Sequence, residues 1–481
     1  MVSVERAEAA DFETFVRLAI VGAGAAGLTA ALAAREAGAE EVVILERDAA
    51  PSGSTALSAG LVPAAGTRFQ KEAGIEDGPE LFAADIMRKA HDEPDADLVQ
   101  RVAAASGPTV EWLADRFDLP FSLVADFSYP GHARRRMHGM PSRSGQELVD
   151  RLRQAAEDRG CDILCDSLVE TLFVGADGRV TGLAFARPDG AGERLGVGAL
   201  ILACNGYGGN PALVAEHIPE LSQALYSGHQ GNRGEAILWG AAMGAKLRHL
   251  SGHQGHGSLA HPAGILLTWA TITEGGFQVN VRGERFSDES RGYSEQAAEV
   301  LKQPEGIAYT IFDERIAAIC RQFEDFRNLE AIHAVVSAAT IEELAEKLKL
   351  PAETLGKTMR AFEAAKGPRR ADARAGGGSP LDRAPGEDRF GRKLAGTPRL
   401  EAPFRAARVT GALFHTQGGL VVDGKARVLR ADGTAISNLY AAGGAACGVS
   451  GAAASGYLSG NGLLTAVTLG RIAGEAAGGE A

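Results

Sequence analysis

Between Val16 and Glu46 the chain passes through an apolar strand, a glycine-punctuated turn, a small-residue helix and a second apolar strand that ends in an acid. The turn reads Gly22-Ala23-Gly24-Ala25-Ala26-Gly27, and Glu46 follows the last glycine by 19 residues, directly after Val42-Val43-Ile44-Leu45. Elements in that order build a dinucleotide-binding unit. Gly22 permits the tight turn, Gly24 admits a pyrophosphate against the backbone, and Gly27 lets the helix lie close to the strand. Glu46 is placed to accept from a ribose hydroxyl. Phosphate charge then rests on the amides that open the helix, at Ala25 and Ala26. A merely glycine-tolerant turn would leave Glu46 unexplained.

A chain of 481 residues supports two or three domains with substantial cores. Its 49 basic and 61 acidic residues give a formal charge of −12, which argues against nucleic acid or an anionic membrane as partner. The five cysteines, Cys161, Cys165, Cys204, Cys320 and Cys447, form no Cys-x-x-Cys pair, haem-attachment motif or iron–sulfur spacing. They read as reduced, mostly buried thiols, so any redox cofactor is organic. The first 15 residues are acidic and lack an apolar core, and no later segment stays apolar long enough to span a bilayer. The expectation is a cytoplasmic protein.

Helical and strand signals alternate to about residue 260, the pattern of a doubly wound sheet. Asp162 to Leu164, Leu168 to Phe173 and Val180 to Phe185 read as strands. The last two are joined by a hairpin turn at 175–179, where a third strand layer is expected to meet the nucleotide domain. The strand Ala199 to Ala203 runs into Asn205-Gly206-Tyr207-Gly208-Gly209, a second glycine-rich approach to a ligand. From 262 to 400 helices such as Ile341 to Lys349 and Ala352 to Lys366 dominate, followed by a polar, glycine- and arginine-rich stretch at 367–396. Strand signals return at Gly419 to Asp423 and Leu439 to Gly444, and a final helix covers Asn461 to Ala476. The expected organisation is a first domain at 1–261 and 401–481, interrupted by a second at 262–400. A ligand in the cleft between two such domains is expected.

The chain resembles the FAD-dependent fumarate reductase and 3-ketosteroid delta-1 dehydrogenase superfamily over nearly its whole length. The segments that carry the resemblance are Gly22 to Gly27, Ser52 to Gly60, Thr273-Glu274-Gly275-Gly276, Gly283 to Glu289, His415-Thr416-Gln417-Gly418-Gly419, Leu439 to Gly444 and Gly456 to Asn461, in the family's order. The resemblance implies an α/β fold, a Rossmann-like FAD-binding domain with an inserted α+β capping domain. It implies that FAD is held by Glu46 and Arg47, by Ser54, Thr55, Ser58 and Gly60, by Asn205 and Gly206, and by Gly443. It also aims the N-terminus of the last helix, Asn461-Gly462-Leu463, at the flavin ring, where the helix dipole stabilises the charge of reduced flavin. Some relatives tether FAD to a histidine in the segment matching 52–60. This chain has no histidine before His91, so non-covalent FAD is expected.

Flavin chemistry on a carbon–carbon bond beside a carbonyl needs a hydride acceptor, a proton acceptor and a hold on the carbonyl oxygen. In fumarate reductases an arginine beyond the Arg-Phe-x-x-Glu motif donates the proton, a Glu and an Arg relay it, and His and Arg clamp carboxylates. Glu274 and His415 match that pattern, and His261 stands where another clamp is expected. Arg291 follows Glu289 too closely to match the donor, Gly276 or Phe277 replaces the relay arginine, and Tyr457 replaces a carboxylate-binding arginine. Fumarate is therefore not the expected substrate. In ketosteroid dehydrogenases one tyrosine after the motif takes the proton, and another near the final helix joins a backbone N–H to hold the keto oxygen. Tyr293 and Tyr457 match these two places, and Tyr129 lies near a third, assisting position, in a chain with only seven tyrosines.

An unperturbed phenol near pKa 10 is a poor base and a good donor to a forming enolate. Tyr457 suits the second role as it stands. Tyr293 needs a neighbouring charge, and Arg291 supplies it if the loop folds back. Against these roles stands plain packing of each tyrosine with its hydroxyl in water. Tyr440 reads as structural. The run Arg134-Arg135-Arg136 reads as a solvated loop, with a carboxylate clamp as its alternative. His132 and His138, like His253, His256 and His261, lack a partner at metal-ligand spacing, so no metal is expected.

The reading is an FAD-dependent desaturase that acts on a CH–CH bond beside a ketone. It is expected to take a cyclic keto acid smaller than a steroid and to pass electrons to an external acceptor, with Tyr293, Tyr457, Tyr129, Arg291 and His415 as catalytic candidates. The alternatives are an enoate reductase with Arg291 or Arg285 as proton donor, and a flavoprotein subunit without turnover.

Overall fold

A computed structural model of the chain describes residues 2–125, 128–367 and 386–480. Most of the arginine- and glycine-rich stretch at 367–396, namely 368–385, lies outside the described residues, as does Phe127. The chain forms two compact units. The first comprises 1–222, 226–254 and 414–481, and the second 223–225 and 255–413. The divisions fall inside the strands His253–Ala260 and Phe404–Thr416, whereas the sequence suggested breaks at 262 and 400. The greater part of each strand belongs to the sheet of the second unit.

The first unit is organised on runs of β-branched and aliphatic residues that are buried on both faces in the middle of the sheet, at Val42–Leu45 and over the second halves of Phe15–Val21 and Gly192–Leu202, as parallel strands require. Asp162–Leu164, Val42–Leu45, Phe15–Val21, Gly192–Leu202 and Ala435–Ala441 lie side by side in that order, every neighbouring pair parallel. Glu46 ends one strand of this row and the Gly22 turn ends the next, so both emerge at the carboxyl edge, where ligands bind in open α/β sheets. The hairpin Leu168–Val174 and Val180–Ala186 is not a separate layer. Its second strand pairs antiparallel with the first half of Gly192–Leu202, which thereby carries hairpin and parallel row in one sheet.

The helix Ala25–Glu36 is buried at every position from Ala25 to Ala34, and its partner is the last helix, Asn461–Glu480. Gly470, Gly474 and Gly478 meet the carbonyl oxygens of Ala26, Ala30 and Ala34, one per turn, where any side chain would collide with backbone. The expected strand at 419–423 is shorter, covering Gly419–Leu420, with an isolated bridge at Val422. Asp423 cuts it short by turning its carboxylate onto the amides of Lys425 and Arg427.

The second unit is richer in strand than its sequence suggested. Ile307–Asp313 pairs antiparallel with Phe277–Asn280 and with Phe404–Thr416, and Val335–Ala338 and His253–Ala260 also join the last of these. The expected helices are present as Ile341–Leu348 and Ala352–Ala365. Arg285 lies buried between Glu289 and Asp388, and Arg392 adds a second bond to Glu289 at 3.1 Å. The Arg-Phe-x-x-Glu motif is thus an internal ion-pair staple.

Candidate active site

The glycines of the first turn divide by what surrounds them. Gly22 has φ of +104°, a conformation that glycine alone adopts without strain, and a side chain there would reach the Ala203 carbonyl. At Gly27 an added methyl would run into the Gly22 carbonyl oxygen. Gly24 is different, because an added Cβ would meet only Thr55 Oγ1, at 3.5 Å. Gly53 faces nothing within 4 Å. Two glycines that the protein itself leaves uncrowded form an open cradle beside a helix N-terminus, and that cradle fits the pyrophosphate of a dinucleotide.

Around the cradle the remaining cofactor candidates are held by hydrogen bonds to one another and to neighbouring residues. Glu46 accepts from the Ala23 amide at 2.8 Å and the Asp48 amide at 3.1 Å, one on each oxygen, which fixes the carboxylate and leaves lone pairs for a ribose hydroxyl. Burial outweighs these two bonds and raises its carboxyl above the ordinary value. Thr55 Oγ1 caps the Ala25 amide at 3.1 Å, and Ser58 Oγ bonds the Thr55 carbonyl and the Gly60 amide. Ser54 Oγ accepts from the His229 amide and from Asn232 Nδ2. Arg47 is committed to Glu235 at 3.1 Å and to the Gly231 carbonyl. Asn205, with φ of +65°, turns the second glycine-rich strand end, and Gly206 abuts Thr416. Gly443, also at positive φ, lies 3.1 Å by its missing Cβ from Ala26.

At the N-terminus of the last helix Asn461 is fully buried, and the first-turn amides of Gly462 and Leu463 precede any intrahelical acceptor. Three further candidates gather there. His415 lies edge-to-face against Tyr457, with ring centroids 5.5 Å apart, and its Nε2 stands 2.7 Å from where a Cβ of Gly462 would be. Burial holds the His415 imidazole down at about 4, so it is neutral near pH 7. Burial raises the Tyr129 phenol well above its ordinary value, and the neighbouring Tyr457 adds to that. Sequence reasoning missed the groups behind His415, Gln417 and Ser450, because a glutamine and a serine in a glycine-rich segment carry no periodic signal.

Tyr293 belongs to the second unit, where it opens the helix Tyr293–Leu301. It is 8 % exposed and stacks on His256 at 4.7 Å, with Trp269 edge-on at 6.1 Å. Burial lowers His256 to about 3. Arg291 ends a short turn before Gly292 and is exposed, in contrast to Tyr293. Glu274 pairs with Arg315 at 3.6 Å, an arginine the sequence did not single out. His261 follows the strand His253–Ala260.

The arginine run corrects the solvated-loop expectation in part. Arg134 and Arg135 are exposed, but Arg136 is buried against Asp77 and Asp85, so the carboxylates it clamps are the protein's own. His138 is buried on Thr67, and burial lowers both it and His132 to about 4. Cys161, Cys320 and Cys447 are buried free thiols, whereas Cys165 and Cys204 are partly exposed. Among the described residues no cluster of three metal-ligating side chains occurs, and no helix is long and apolar enough to cross a membrane.

A glycine cradle at the carboxyl edge of a parallel sheet, an acid beside it and a helix N-terminus lined by His415 and Tyr457 define a dinucleotide-binding protein. Residues 17–463 match the FAD binding domain family, and the chain belongs to it. It is an FAD-dependent oxidoreductase whose relatives include fumarate reductases. It is 30% identical to a probable fumarate reductase, Ifc3, of Shewanella frigidimarina, covering 98% of this chain and 76% of that one. It is 27% identical to the 4-oxocyclohexanecarboxylate 2-dehydrogenase of Sinomonas cyclohexanicum, over 96% and 92% of the two chains. Among solved structures, the open conformation of a flavocytochrome c3 fumarate reductase aligns with a TM-score of 0.79 and 28% identity, covering 98% of this chain and 79% of that one.

Proposed function

We propose that the enzyme desaturates a cyclic keto acid, removing hydrogen across the carbon–carbon bond beside the ketone. The observation that carries this reading is the His415–Tyr457 pair at the N-terminus of the last helix. Both side chains are neutral hydrogen-bonding groups where a carboxylate clamp would need a cation. They suit a carbonyl oxygen that gains charge only in the transition state, because donors aimed at developing charge favour that state over bound substrate.

Glu46, the Gly24 and Gly53 cradle and the amides at Ala25, Gly462 and Leu463 are the groups proposed to hold FAD. When bound, FAD supplies the acceptor for the hydride leaving the carbon β to the ketone. Tyr457 donates to the ketone oxygen as the α C–H bond breaks, and Tyr293, ionised to its phenolate beforehand, is the proposed acceptor of that proton and becomes a neutral phenol. Tyr129 supports Tyr457, and His415 holds a substrate oxygen. Arg291 is exposed, which suits it to attracting an anionic substrate. The relative named for 4-oxocyclohexanecarboxylate supports a ring that carries both ketone and carboxylate.

A second reading, an enoate reductase, is favoured by the fumarate reductases among the relatives. Arg285 is a poor proton donor for it, since its guanidinium is spent on Glu289 and Asp388. The two readings separate by mutation. The desaturase reading expects Tyr457→Phe to keep its flavin and lose about 10²–10³-fold in kcat on keto acids. Tyr293→Phe that retains turnover while Arg291→Ala loses it favours the reductase.

A further inference from the structure

Behind His415 a chain of buried polar side chains runs from the last helix to the imidazole. Asn461 Nδ2 donates to Ser450 Oγ at 3.0 Å, and Ser450 Oγ donates to Gln417 Oε1 at 2.7 Å. Gln417 Nε2 then meets His415 Nδ1 at 2.8 Å. Asn461, Ser450 and Gln417 are 0 %, 1 % and 4 % exposed, and all four residues belong to the first unit. Gln417 is also pinned through its backbone, its amide donating to Gly252 at 2.7 Å and its carbonyl accepting from Gly448 at 2.9 Å.

We propose that Gln417 is a positioning residue that sets the tautomer of His415, holding Nδ1 as an acceptor so that Nε2 carries the proton. A chain of amides and a hydroxyl has two possible directions, and they give opposite tautomers. Turning Gln417 alone would aim two amide N–H groups at Ser450 Oγ and take away the acceptor of its buried hydroxyl proton, so reversal turns Asn461 as well, and Asn461 decides between the two directions. In the direction given, its Oδ1 is the one buried atom of the side chain without a partner among the described residues. Reversal would put the amide nitrogen there, leaving two buried N–H groups unsatisfied in place of one under-used acceptor, which is the costlier error. An oxygen also suits the positive end of a helix, and an N–H does not. The competing partner of Nδ1, the Thr416 carbonyl, is more distant at 3.3 Å.

The consequence is chemical. With Nδ1 occupied, His415 presents Nε2–H beside the first turn of the last helix and next to Tyr457. It can give a hydrogen bond to a substrate oxygen and cannot take a proton from substrate carbon. This assignment of role rests on the desaturase reading, but the tautomer does not.

The test is a two-bond 1H–15N correlation spectrum of the FAD-loaded enzyme labelled with 15N-histidine, without substrate, at neutral pH. His415 is assigned by the signals missing from His415→Gln. The expected pattern is a protonated Nε2 and a bare Nδ1. In Gln417→Glu a carboxylate in place of the amide accepts from Nδ1, and the pattern inverts. A wild-type enzyme with its proton on Nδ1 overturns the proposal. So does an unchanged pattern in Gln417→Glu that retains its flavin absorbance and melting temperature. If that variant does not fold, the wild-type pattern alone decides. The expected tautomer in an enzyme inactive on every keto acid would sink the desaturase reading and leave this one standing.

Discussion

At the residue scale, Gly24 and Gly27 are the same amino acid three positions apart with different duties. Alanine at Gly27 is expected to push helix from strand and cost about 1–3 kcal/mol of stability with or without FAD, as overpacking does. Alanine at Gly24 is expected to leave the melting temperature of the FAD-free protein unchanged and to weaken FAD binding, as read by flavin titration. Equal loss of stability in both variants would contradict the cradle. This division was legible in the sequence because the strand–turn–helix order assigns each glycine its task. The environment of Tyr293 was not, since its ring partners, His256 and Trp269, lie 37 and 24 residues away in sequence and come together only in the folded sheet. Gln417 escaped for the same reason, its partner Ser450 being 33 residues on.

At the element scale, the Arg285, Glu289, Asp388 and Arg392 cluster staples the loop after Phe277–Asn280 to a segment more than a hundred positions away. Burial alone would raise the Glu289 carboxyl, but the guanidiniums of Arg285 and Arg392 overrule it and hold it below the ordinary range. The unfolded chain therefore binds that proton more readily than the folded one. The stabilisation is complete above the unfolded value, near 4.3, and is lost as pH falls through the folded value. Urea midpoints measured from neutral pH downward should fall in acid for the wild type and fall less steeply in Glu289→Gln. Arg285→Ala, which strands a buried carboxylate, is expected to cost about 3–5 kcal/mol at neutral pH. The parallel row of the first unit was legible from its continuous apolar runs. The antiparallel sheet of the second was hidden, because Ile307–Asp313 is buried at nearly every position and shows no alternation, while the flanking helices have a clear period.

At the scale of the whole molecule, a −12 chain of the FAD binding domain family, with no histidine in 52–60, is expected to hold its flavin without a covalent bond. Acid or heat denaturation should release all the yellow colour into the supernatant, and pelleted flavin would contradict this. Free FAD at a hundred times its dissociation constant should stabilise the fold by about 2.7 kcal/mol, visible as a rise in melting temperature over the FAD-free protein. The central claim concerns the direction of chemistry and the ketone, and the visible spectrum of the anaerobic holoenzyme reads both. Addition of 4-oxocyclohexanecarboxylate or a related saturated keto acid is predicted to bleach the flavin. Absence of bleaching by every saturated ketone and keto acid, together with reoxidation of the chemically reduced enzyme by fumarate or another unsaturated acid, would contradict the account.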